Sequence, residues 1–140
     1  MLTPKPTPLY TPPVRKAYVA FTTRTDYKWL QIVLGKSFPH CSLHIQDDKG
    51  WTSVEGLAGY TEIFRHDITA GFDLPDMLRK QGMIVVPAPL RRDEKVMKIL
   101  APSVFSCVEL VKRILGLRQP FIITPKQLHR ALVKINGGAA

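Results

Sequence analysis

Cysteine is scarce: only Cys41 and Cys107 occur in 140 residues. They form no CxxC pair, which excludes a disulfide framework. Together with four histidines they lack the spacing of a zinc site, so neither a metal nor any other cofactor is expected. No apolar run reaches the ~18 residues needed to cross a bilayer. The opening stretch, MLTPKPTPLYTPP, has no apolar h-region, so no secretory signal is expected. A chain of this kind is expected in a reducing compartment. There is no Gly-rich phosphate loop, no RNP signature and no zinc-finger spacing, so contact with nucleic acid has no module to carry it.

The chain does carry positive charge. Its net charge is +9, unevenly spread. Residues 47–76 hold seven acids (Asp47, Asp48, Glu55, Glu62, Asp67, Asp73, Asp76) against Lys49 and Arg65, a net of −5, which leaves +14 on the remainder. Such a surface favours anionic partners: wall polymers, acidic proteins or nucleic acid. It serves equally as a solubilising surface. Four prolines in the first twelve residues predict an extended arm over residues 1–16. The remainder, 17–137, reads as one domain with room for a modest core.

Within that domain, Ala17 to Thr22 reads as a strand. Thr25-Asp26 opens a short helix running to Leu34 before Gly35. His40 to Gln46 alternates, with His40, Ser42, His44 and Gln46 on one face and Cys41, Leu43 and Ile45 on the other. Asp47-Asp48-Lys49-Gly50 is turn chemistry, and Trp51 to Gly56 returns as the next strand. If Gln46 pairs with Trp51, then His44 faces Ser53 and Ser42 faces Glu55. His40, Ser42, His44, Ser53 and Glu55 then share a polar face. Tyr60 to His66 reads as a further strand, Asp73 to Gly82 as a helix, Met83 to Pro87 as a buried strand and Arg91 to Lys98 as a solvated loop. Ser106-x-x-Glu109 and Thr124-x-x-Gln127 are capping boxes, the second with Pro125 at the first helical position. They open helices that end at Gly116 and Asn136-Gly137. Strands first and helices last make the chain α+β.

The first capping box makes Cys107 the first residue of a helix. There the sulfur lies beside unpaired N–H groups and the positive end of the helix dipole, which favour thiolate. Thiolate is the nucleophile of acyl transfer, and the same N–H groups, with Ser106 as the cap, can donate to an oxyanion. The competing reading is a small apolar side chain filling a helix end. Cys41, on the apolar face of its strand, reads as core. A nucleophilic cysteine needs a base with an orienting partner. His40 and His44 are the candidate bases and Glu55 the candidate orienter. His66 and His129 are weaker candidates, each equally at home as a surface or satisfied residue.

"FPHCSLHI", "WTSVEG" and "FSCVELVKRILGLRQPFIITPKQLHRAL", in this order, resemble the circularly permuted NlpC/P60-type papain-like proteins of phages and bacteria. In that group the histidine strand precedes the cysteine helix, as here. The resemblance covers about residues 17–135. It implies a permuted papain-like fold, a small antiparallel sheet packed against a cysteine-bearing helix and a C-terminal helix. It implies Cys107 as nucleophile, His40 as general base and Glu55 as third member, with His44 as the alternative base. The activity implied is hydrolysis of an amide, in peptidoglycan stem peptides or another amide substrate, with lipid amides or esters as alternatives. The implied setting is a phage virion, tail or capsid, or the host cytoplasm. The alternative implied is an inactive virion protein whose residues 1–14 contact neighbouring subunits. This chain adds Cys41 and His44 to the histidine strand.

Overall fold

A computed structural model describes residues 15–22, 40–57, 60–90 and 106–138. Residues 1–14 of the arm expected over 1–16, the helix over 25–34 and the loop over 91–98 lie outside the described residues, and the arm's last residue, Lys16, belongs to the first strand.

Five strands form one antiparallel sheet: β1 (Lys16–Thr22), β2 (His40–Asp47), β3 (Gly50–Leu57), β4 (Tyr60–Arg65) and β5 (Ile84–Ala88), in the order β4-β3-β2-β1-β5. Three helices accompany them among the described residues: α1 (Leu74–Lys80), α2 (Cys107–Leu115) and α3 (Pro125–Ile135). The chain is α+β, with the helix-rich end at its C-terminus. The first strand begins one residue earlier than expected, at Lys16.

The β2–β3 hairpin has the register that turn chemistry and alternation predict. Gln46 pairs with Trp51, His44 with Ser53 and Ser42 with Glu55. A slip of one residue would exchange the two faces of the strand, burying Ser42 and His44 where Cys41 and Leu43 belong.

Both faces of the sheet are covered, because alternate residues of β1 feed different cores. Ala17, Val19 and Phe21 join Cys41, Leu43, Val54 and Val86 against α2 and α3, through Val108, Val111, Leu115, Leu128 and Leu132. Ala20, with Trp51 and Val85, packs on the opposite face against Leu74 and Leu78 of α1. The central strand β2, expected to be half polar, is therefore buried on both sides, and Ser42 and His44 are only 5% exposed. That burial obliges them to find hydrogen-bond partners.

The two capping boxes differ. Around α3, Thr124 accepts from the Gln127 N–H at 3.3 Å and the Gln127 side chain accepts from the Thr124 N–H at 3.0 Å. Around α2, Ser106 accepts from the Glu109 N–H at 3.2 Å, but the reciprocal half is not formed. Glu109 turns to Lys112 at 3.1 Å and Arg113 at 3.0 Å. Lys112 also donates to the Ile122 carbonyl, and at 5% exposure its ammonium requires both partners. The S-x-x-E spacing thus delivers the cap but only one of its two bonds.

Candidate active site

Ser106 is extended, and Cys107 is the first helical residue of α2. The first turn of a helix offers its N–H groups no intrahelical acceptor. The Cys107 sulfur therefore sits where backbone dipoles stabilise negative charge.

Gly56 of β3 determines how close α2 approaches the sheet. A Cβ at position 56 would lie 2.9 Å from the Cys107 Cα, 3.3 Å from its N and 3.3 Å from the Leu110 Cδ2. Only a residue without a side chain lets the helix start rest directly on the strand.

Three groups act on the Cys107 sulfur. The Cys41 thiol donates to it, the His40 ring hydrogen-bonds to it, and the Cys41 backbone N–H donates to it. With the His40 charge these outweigh the cost of burial and pull the Cys107 pKa down from 9.0 to about 4. His40 responds in the opposite sense. Its bond to Cys107 and the charges of Cys107 and Glu55 raise its pKa above 6.5 against the opposing effect of burial. At neutral pH Cys107 is therefore a thiolate, and its charge favours the protonated form of the His40 ring beside it. Cys41 is fully buried, and its hydrogen bond to Cys107, with desolvation, pushes its pKa well up, so it remains a protonated donor.

The structure thus brings together Cys107, Ser106 and His40, with Glu55 near enough to bias the imidazole by its charge. The His40 Nε2 is buried with no hydrogen-bond partner among the described residues, so Glu55 acts through charge and not as a bonded orienter. Alternation assigns His40 to the Ser42 face, yet its ring engages the helix on the other face. His40 is the first residue of β2, at the end of its ladder with Thr22.

His44 is not brought to Cys107. Its Nε2 bonds the Ser42 Oγ at 2.9 Å and its Nδ1 bonds the Ser53 Oγ at 2.6 Å, on the α1 side of the sheet. Burial, with the charge of His66, lowers its pKa to about 4. Ser53 continues the chain to the His66 Nε2 at 2.5 Å. The polar face expected from the hairpin exists, but its middle serves this closed network and only its His40 end reaches the thiol. His129 packs edge-on to Phe21 with ring centroids 5.2 Å apart.

The reading of Cys41 as core filling is half of the answer. It is core by burial, but its thiol and its amide both point to Cys107. The missed signal was the adjacency of Cys41 to His40: neighbouring strand residues face opposite ways, so one of the pair had to share the face on which the helix packs.

Among the described residues no cluster of histidine, cysteine or acid is placed to hold a metal, and no helix is long and apolar enough to cross a membrane. No family model, curated protein or solved structure matches this chain. The class that fold and site define is an α+β protein with an ionised thiol at a helix N-terminus beside a histidine whose pKa that thiol raises.

Proposed function

We propose that the chain is a thiol hydrolase cleaving an amide bond, with Cys107 as nucleophile and His40 as acid and base. The observation that carries this reading is the hydrogen bond between the His40 ring and the Cys107 sulfur at the start of α2. The Cys107 thiolate attacks the carbonyl carbon, and the Cys107 N–H with that of Val108 receives the oxyanion. His40 gives its proton to the departing amine, then takes one from the water that releases the acyl group. Glu55 favours the charged form of the ring. The resemblance to permuted NlpC/P60 proteins supports peptidoglycan stem peptides as the substrate and a phage virion or host cytoplasm as the setting, and a basic chain suits an anionic wall.

One observation favours a second reading. The His40 Nε2 has no bonded partner among the described residues, so none of these supplies the hydrogen bond that holds the imidazole in a three-membered triad. An inactive virion protein that keeps the scaffold and uses residues 1–14 against neighbouring subunits would tolerate that loss. Digestion of purified peptidoglycan separates the two. Release of new amino groups by the wild type, abolished in Cys107→Ala and His40→Ala, supports the hydrolase. No release by a chain whose Cys107 still labels rapidly supports the scaffold.

A further inference from the structure

A thiol hydrolase needs one cysteine at its site, yet two meet here. Both are free. Cys41 lies on β2, which is flanked by β1 and β3, and Cys107 opens α2, whose Val108, Val111 and Leu115 are buried in the same core as Cys41. Rigid elements therefore hold both sulfurs. Two hydrogen bonds from Cys41, one from its thiol and one from its amide, fix the Cys107 sulfur against it. Gly56 seats the first residue of α2 on the neighbouring strand. The two thiols differ in access: Cys107 is half-buried, whereas Cys41 has no exposed surface.

We propose that Cys41 and Cys107 form a peroxide-responsive dithiol: hydrogen peroxide oxidises Cys107, Cys41 resolves it as an intrachain disulfide, and a small-molecule thiol restores both. In the first step the Cys107 thiolate attacks the terminal peroxide oxygen. The O–O bond breaks, a sulfenic acid forms, and the departing oxygen leaves as water after taking a proton. In the second step the Cys41 sulfur attacks the sulfenic sulfur. Its own proton goes to the departing hydroxide, so the products are one disulfide and a second water. Two electrons pass from the two thiols to the peroxide. Reduction is thiol–disulfide exchange at the accessible Cys107 sulfur and consumes two external thiols. The ionised and reachable thiol reacts first and the buried, protonated one resolves, an order set by access and thiolate character. The disulfide masks the nucleophile and protects it from oxidation beyond sulfenic acid. This inference rests on the placement of the two sulfurs and is independent of the hydrolase reading.

The full chain treated with hydrogen peroxide tests it by intact mass and peptide mapping. The expected product is two hydrogens lighter, with the Cys41 and Cys107 peptides linked within one chain. Iodoacetamide labelling of Cys107 is lost and returns with dithiothreitol. In Cys41→Ala and Cys41→Ser, dimedone captures Cys107 as the sulfenic acid. Longer exposure adds further oxygens to Cys107, and dithiothreitol no longer restores labelling. Wild-type Cys107 passing to sulfinic acid without a cross-link overturns the proposal, as does a disulfide that forms only between chains. The wild-type mass requires no substrate and no folded variant. A chain that forms the disulfide but cleaves nothing leaves the dithiol standing and removes the hydrolase; the opposite pair of results does the reverse.

Discussion

At the scale of single residues, the ionisation states at the site carry the chemistry. Cys107, held down to about pH 4 by Cys41 and His40, should alkylate with iodoacetamide at mildly acidic pH, where an ordinary thiol is silent. Its rate should fall only as the pH drops toward 4. Cys41, buried and protonated, should stay unlabelled in the native chain. A pH–rate profile with mass mapping checks both, and equal slow labelling of the two cysteines would contradict them. The linkage to stability has opposing signs. The Cys107 pKa is depressed on folding, so its ionisation contributes stability that is complete above 9.0 and lost as pH falls through about 4. The His40 pKa is raised, so its contribution is present below 6.5 and lost as pH rises through its folded value. His44 is the contrasting imidazole. Its pKa near 4 means the fold holds it neutral, and stability is lost as pH falls from 6.5 through about 4. Over that window the loss attributable to His44 is on the order of 3 kcal/mol, at 1.36 kcal/mol per pH unit. Ring proton chemical shifts followed by NMR should show His40 still charged above pH 6.5 and His44 still neutral at pH 5.

At the scale of elements, the approach of α2 to β3 decides whether the site exists. Gly56→Ala places a methyl carbon against the Cys107 backbone, a contact that no flexible side chain can relieve. The helix start must shift, at a cost of about 1–3 kcal/mol typical of overpacking. The Cys107 labelling rate at pH 6 should fall with it, because the sulfur leaves its donors. Urea unfolding and labelling rates measure the two effects. The caps provide a comparison. Thr124→Ala removes a complete capping box and Ser106→Ala half of one. Each should lower stability by about 0.5–2 kcal/mol, but only Ser106→Ala should alter Cys107 reactivity. The element boundaries were legible from sequence because local chemistry sets them: Gly116 in the left-handed conformation ends α2, and Pro125 after Thr124 starts α3. The fate of Glu109 was not legible. Its choice of Lys112 and Arg113 over the Ser106 amide depends on Lys112 being drawn inward by the Ile122 carbonyl, a contact made beyond the helix.

At the scale of the whole molecule, charge and layering set what the chain meets. With net charge +9, retention on heparin should weaken steeply as salt rises, following counterion release. It should be unchanged in Cys107→Ala, which separates the anionic surface affinity from the thiol chemistry. Salt-gradient elution of the two proteins is the measurement. Layering explains why the sequence could name the site residues but not divide them. The β2 alternation showed that His40, Ser42 and His44 share a face. It gave no sign that a helix would cover that face too, turning Ser42 and His44 into a sealed network with Ser53 and His66.

By itself, the sequence determined what short-range forces control: the hairpin register from alternation and an Asp-Asp-Lys-Gly turn, the helix starts from Ser106 and Thr124, and a cysteine placed at a dipole's positive end. Tertiary structure alone decided which face of β2 the cysteine helix would cover. On that depended Cys41 facing the thiolate and His44 facing away from it, while His40 reaches the sulfur from the end of the strand. The physical reason is that alternation divides a strand's residues into two sets, but only the packing of distant apolar side chains, Phe21 and Leu43 against Val108, Val111 and Leu128, selects which set meets α2.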